Sequence, residues 1–155
     1  MSAPTTSASS IADKNLDAAA AAVHAEIGRT DGKASLLLAF NGAALAGLAS
    51  LTDMPLPTPA RVLGGMAVTA IGWATVLLLL VVRPRLSGQD RASFPHWARL
   101  TEAEIYASMT SDTRAASIRI LSVIAVAKFT TLRRAIDCTL AALAFLAAAV
   151  FGALT

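Results

Sequence analysis

One uncharged stretch decides the fold: residues 62–82 read VLGGMAVTAIGWATVLLLLVV. At about 1.5 Å of rise per residue, a helix of this length covers roughly 32 Å, which matches the ~30 Å hydrocarbon core of a bilayer. The stretch contains no Asp, Glu, Lys or Arg that would oppose insertion. We therefore predict that it crosses a membrane as a helix.

Two further apolar runs flank this stretch. The first covers residues 34–52, and the last covers residues 136–155, where no charge follows Asp137. A single such run would suit the core of a soluble protein, but three of them in 155 residues leave too little polar chain to cover them. The charged fraction of 15% agrees, because soluble domains carry about 25%. We predict an all-α membrane protein with three transmembrane helices.

The segments between the spans are polar and mostly helical by pattern. Thr101 and Glu104 have the spacing of a capping box, in which each side chain satisfies a backbone N–H of the other residue. The apolar stretch 120–127 is too short to span, and we expect its helix to continue into the last span. The expected order is a disordered tail over 1–10, a cytoplasmic helix over 11–33, the span 34–52, the span 62–82, a cytoplasmic loop and helix over 83–135, and the span 136–155.

The distribution of charge predicts the orientation. Of the 13 basic residues, only Arg61 lies in the short loop between the first two spans. Basic residues concentrate on the cytoplasmic side of membrane proteins. We therefore expect the N-terminus and the long helical extensions inside, and the C-terminus outside.

Small residues recur at every fourth position in two spans and predict close helix packing, within a bundle or between protomers. They are Ala39, Ala43 and Gly47 in the first span, and Ala144, Ala148 and Gly152 in the last. Alternatively, alanine is simply abundant in this chain. Asn41 is the one amide inside a span, and it needs a hydrogen-bond partner there. The partner could be a neighbouring helix, or the amide could serve a pore or a switch.

The sequence lacks the motifs of catalysis and metal binding. No phosphate-binding glycine loop is found, and Cys138 is the single cysteine. His24 and His96 lie far apart in the sequence and have no cluster of metal-ligating residues beside them. We therefore expect a non-enzyme with no catalytic residue, no metal, no cofactor and no nucleic-acid partner.

Basic residues next to the spans have two possible roles. They are Arg83, Arg85, Lys128, Arg133 and Arg134. Contact with anionic lipid head groups would contribute about 1 kcal/mol per charge. Alternatively, some of them bind the phosphate of an anionic ligand, since arginine can donate two parallel hydrogen bonds to a phosphate.

Three segments resemble the transmembrane effectors of Pycsar, the pyrimidine cyclase system for antiphage resistance. The most specific is DGKASLLLAFNG, residues 31–42, with Asp31, Lys33, Ser35, Asn41 and Gly42. The others are Arg83-Pro84 after the second span and KFTTLRRAI, residues 128–136. The resemblance covers roughly residues 11–155.

The resemblance implies a role in abortive infection. A neighbouring cyclase makes cyclic UMP or cyclic CMP on phage infection, the effector responds in the bacterial inner membrane, membrane integrity fails, and the infected cell dies. Rearrangement or homo-oligomerisation of the spans would follow ligand binding. Because no segment resembles a separate β-rich nucleotide-binding domain, direct sensing would use the cytoplasmic helices. A constitutive holin-like pore and a structural membrane adaptor remain the alternatives.

Overall fold

The computed structural model describes residues 5–51, 55–83, 96, 98–108 and 112–154. Within this part the chain forms helices and no strand, in the order α1 (Thr5–Ala49), α2 (Thr58–Val82), α3 (Glu102–Ser108) and α4 (Arg114–Leu154). Three of them, α1, α2 and α4, contain segments long and apolar enough to cross a membrane. The predicted all-α architecture is confirmed for the described residues, as is the presence of three helices long and apolar enough to span a membrane.

Prolines set both ends of α2. The helix starts at Thr58 after Pro57, with a proline in its first turn, where the missing N–H has no intrahelical partner to lose. It ends at Val82, and Arg83 has an extended backbone with ψ near 122°. The residue before a proline avoids the helical region, and Pro84 follows Arg83 in the sequence. The helix therefore covers the predicted span plus one N-terminal turn.

Helix α1 is longer than the sequence pattern indicated. It begins at Thr5, within the stretch expected to be a disordered tail, and runs through Gly28 and Gly32 without a break. Extending an existing helix fixes one residue per hydrogen bond gained, so a polar run beside a long helix can join it. Residues 1–4 lie outside the described part of the chain.

The capping box at Thr101 is confirmed. The backbone N–H of Thr101 donates to Glu104 Oε2 at 2.8 Å, and the Glu104 N–H donates to Thr101 Oγ1 at 3.4 Å. The backbone N–H of Thr101 and its hydroxyl, 2.9 Å from Glu104 Oε2, both donate to the carboxylate and hold the pKa of Glu104 below its usual value, because they favour the ionised form. The short helix α3 follows. Helix α4 then runs unbroken from Arg114 into the last span, as expected.

The contacts divide the chain into two units. We call residues 1–29 and 84–127 the extension unit, and residues 30–83 and 128–155 the bundle unit. The three candidate spans contribute to the bundle unit.

Two apolar clusters hold the bundle unit together. The first consists of Ala34, Leu78, Val81, Leu132 and Ala135, and the second of Ala67, Ile71 and Ala142 with partly buried neighbours that include Leu45 and Leu48. Residue numbers rise from the first cluster to the second in α1 and α4 and fall in α2. The bundle is therefore up-down-up, with α2 antiparallel to the other two helices. Most of the fully buried contact positions are alanine, which allows helices to approach closely in lipid.

Candidate functional site

The predicted ligand-binding residues occupy two different environments. Arg83, Arg133 and Arg134 are exposed, whereas Lys128 is largely buried. Arg85 lies outside the described residues. All five residues were predicted as one set because they lie next to the spans in the sequence. In the structure Lys128 differs from the described arginines because its side chain is largely buried.

Lys128 forms an ion pair with Asp31. Its Nζ lies 2.6 Å from Asp31 Oδ1, and the two side chains are 14% and 38% exposed. The pair joins α1 to α4 inside the bundle unit, beside the first apolar cluster. An anionic ligand that contacted Lys128 would have to compete with the Asp31 carboxylate. Lys128 therefore links two helices in this structure, and its contact with an anionic ligand stays a prediction.

Four exposed basic residues lie at the same end of the bundle. Arg83 follows Val81 by two residues, and Arg133 follows Leu132 directly. Val81 and Leu132 pack in the first apolar cluster. The segments of α2 and α4 that precede Arg83 and contain Arg133 therefore lie side by side. We call the set the basic collar: Lys33, Arg83, Arg133 and Arg134. Its charges can bind phosphate groups, whether of lipid head groups or of a soluble ligand.

The residues of the 31–42 motif do not form one site. Asp31 pairs with Lys128, and Ser35 donates from Oγ to the Asp31 carbonyl at 3.0 Å. Lys33 and Gly42 are exposed, and Asn41 is fully buried. The motif therefore serves two purposes in the fold: Asp31 and Asn41 tie α1 to α4, and Lys33 contributes charge to the basic collar.

Asn41 has its partner on a neighbouring helix. The Asn41 Nδ2–H donates to Thr139 Oγ1 at 3.4 Å, and the Thr139 hydroxyl in turn donates to the Ala135 carbonyl at 3.0 Å. Both residues are buried, between the two apolar clusters. The expected interhelical hydrogen bond is confirmed. A role for Asn41 in a pore or a switch stays a prediction.

The predicted small-residue stripes lie away from the contacts within the bundle. Ala39, Ala43, Ala144 and Ala148 are exposed, and a Cβ added at Gly47 or Gly152 would meet nothing within 4 Å. The contacts within the chain are made instead by the alanines of the apolar clusters. Packing of the stripes between protomers stays a prediction.

Arg114 organises the extension unit, which the sequence pattern did not reveal. Its guanidinium contacts carboxylate oxygens of Asp13, Asp17 and Asp112. These hydrogen bonds raise the pKa of Arg114 and hold the pKa of Asp112 below its usual value. Asp13 and Asp17 are four residues apart and share one helix face, a spacing that could have indicated a common cation but not which one.

No group of three or more metal-ligating side chains comes together in the part of the chain that the structure describes. The described side chains offer salt bridges and a group of exposed basic charges.

Comparison with known proteins identifies one family. The family model of the Pycsar effector protein domain matches residues 15–155. No curated protein and no solved structure matches the chain.

Proposed function

The chain belongs to the Pycsar effector protein domain family, and from that premise we propose that it is an antiphage membrane effector activated by cyclic UMP or cyclic CMP. A neighbouring nucleotide cyclase would supply the messenger on phage infection. The family is one of effectors rather than of known catalysts. Activation would impair the bacterial inner membrane and kill the infected cell.

The observation that carries the proposal is the Asp31–Lys128 pair beside the basic collar. A cyclic mononucleotide has one negative charge on its phosphate. The collar offers Arg133 and Arg134, whose guanidinium groups can donate paired hydrogen bonds to such a phosphate. An anion at this end would also weaken the hold of Lys128 on Asp31, and so loosen α1 from α4. A ligand of this kind would shift the bundle between two arrangements only by binding one of them more tightly.

The proposed orientation places the collar in the cytoplasm, where a cyclase would release its product. Twelve of the 13 basic residues support it. We expect a reporter enzyme that is active only outside the cytoplasm to work when fused to the C-terminus. The same reporter fused before Thr5 should be inactive. The opposite pattern would overturn the orientation.

The central test uses the full chain in dye-loaded proteoliposomes. We expect cyclic UMP or cyclic CMP to release the dye, and cyclic AMP to release much less. In Arg133→Gln/Arg134→Gln, the concentration for half-maximal release should rise about tenfold or more, because each lost charged hydrogen bond costs about 1.5–3 kcal/mol. Arg119→Gln is the matched control, an exposed arginine on the same helix that lies outside the collar.

Each alternative outcome of this test has a defined meaning. If neither pyrimidine nucleotide binds or releases dye, while a known pore-forming peptide empties the same vesicles, direct sensing is wrong. Dye release without any nucleotide would favour the constitutive holin-like pore. An unchanged response in the double variant, with wild-type binding, would move the ligand site away from Arg133 and Arg134.

A further inference from the structure

The bundle unit contains an apolar groove at the end where α1 finishes and α2 begins. Its volume is about 770 Å³, within the usual range of ligand-binding pockets. Its walls come from the last two turns of α1, the first turns of α2 and the C-terminal end of α4, and they are almost wholly aliphatic side chains and glycine. This is the end of the bundle opposite to the basic collar.

Glycines keep the groove open. Gly47 of α1 and the adjacent Gly64 and Gly65 of α2 line it, and a Cβ added at any of them would meet nothing within 4 Å. These glycines therefore do not serve close contact between backbones. Instead, the missing side chains leave space between the helices. Apolar space of this size within a membrane has to be filled, because water is unstable in it and an empty cavity loses the dispersion contacts of its walls.

Arg61 supplies one cation at the rim of the groove. It lies in the first turn of α2, is exposed and lines the groove. A helix that begins at Thr58 and is long enough to cross the bilayer has its first turn at the depth of the lipid phosphates. The groove thus combines a strip of apolar surface with a positive charge at one end.

The apolar walls suit an acyl chain and the charge of Arg61 suits a phosphate, which is the combination that one glycerophospholipid of the surrounding bilayer provides. From Ala60 to Val68 the α2 wall is about 12 Å long, close to the ~15 Å depth of one leaflet, half of the ~30 Å hydrocarbon core. We propose that the groove binds a phospholipid, with one acyl chain between Gly47, Gly64 and Gly65 and its phosphate on Arg61.

A second copy of the chain fits the groove less well. A two-fold contact centred here would bring two copies of the same surface together, and so two Arg61 side chains. Among the described residues that line the groove, none is acidic, so none of them would offset that repulsion. A phospholipid brings the negative charge of its own phosphate to Arg61.

The test is photolabelling of the full chain in phosphatidylcholine vesicles that contain phosphatidylglycerol with a diazirine on one acyl chain. We expect labelled peptides from the end of α1 and the start of α2. Gly64→Leu should fill the groove and lower this label about tenfold, equivalent to about 1.4 kcal/mol. Gly72→Leu is the matched control, since Gly72 lies on the same helix, has open space and does not line the groove. Ala153→Leu fills the groove from α4, which keeps the test valid should Gly64→Leu misfold.

A second probe isolates the phosphate. Diacylglycerol with the same diazirine has no phosphate, so it should label the groove less than phosphatidylglycerol does. Arg61→Gln should remove that difference, and Arg61→Lys should keep most of it. Label that is equal in Gly64→Leu, Ala153→Leu and wild type would overturn the proposal, as would a phosphate preference that Arg61→Gln leaves intact. Loss of a dimer in the groove-filling variants, with no lipid label in the wild type, would assign the groove to a second copy instead.

Discussion

Replacement of Lys128 by methionine should lower the free energy of unfolding by about 1–3 kcal/mol. Methionine keeps much of the length of the side chain but removes its charge. The Asp31 carboxylate, 38% exposed beside the bundle, would then lose the cation 2.6 Å away. Its partial exposure keeps the expected loss below the 3–5 kcal/mol typical of a fully buried broken pair. Equilibrium unfolding in mixed detergent micelles, followed by helical circular dichroism, measures the change.

A double-mutant cycle separates the pair from its surroundings. Asp31→Asn/Lys128→Met should be more stable than the sum of the two single changes predicts, by about 1–2 kcal/mol, because neither charge is then left without the other. Lys33→Met is the matched control, an exposed lysine of the same motif, and it should change stability by no more than about 0.5 kcal/mol. Equal losses in Lys128→Met and Lys33→Met would show that the ion pair contributes nothing to the fold.

Replacement of Ala142 by leucine should cost about 1–3 kcal/mol, because the added atoms have no room between α2 and α4. Ala142 is completely buried and packs in one cluster with Ala67 and Ile71. Leucine is otherwise suited to a helix in lipid, so the loss would come from crowding rather than from helix propensity. Unfolding in mixed micelles again measures the effect.

The neighbouring residue provides the control for this substitution. Ala141 is exposed on the outer side of the same helical turn, and Ala141→Leu should leave stability within about 0.5 kcal/mol of wild type. Equal stability of the two variants would contradict the packing of α4 against α2. A larger loss in Ala141→Leu would indicate that the outer face is buried between copies of the chain.

Much of the architecture could be predicted from the sequence. The second span was expected over residues 62–82 and is found within Thr58–Val82. The helix starting in Thr101's capping box and the continuity of α4 into the last span were also expected. These features depend on local properties: the length of an uncharged run, the backbone limits around proline, and side chains three residues apart. A partner on a neighbouring helix was also one of the two interpretations of Asn41, because an amide in lipid needs a hydrogen-bond partner.

The candidate site could be predicted only in part. Arg83, Arg133 and Arg134 were expected near the membrane surface, and they are exposed at one end of the bundle. Lys128 has the same kind of sequence neighbourhood, yet it pairs with Asp31, 97 residues earlier. Likewise, Gly47 has the spacing of a packing residue, yet it lines a groove. The helical repeat shows which residues share a face, but it does not show what that face meets.

The sequence by itself therefore determined the number of helices able to span a membrane and the bounds of the second one, because transfer of apolar chain into lipid and backbone geometry act on each segment separately. The tertiary structure alone decided which alanines are contacts, which lysine is neutralised by a partner and where glycine leaves a groove. Those outcomes depend on the rotation of each helix about its axis relative to its neighbours. In a chain whose helices are apolar on all sides, the hydrophobic pattern leaves that rotation undetermined.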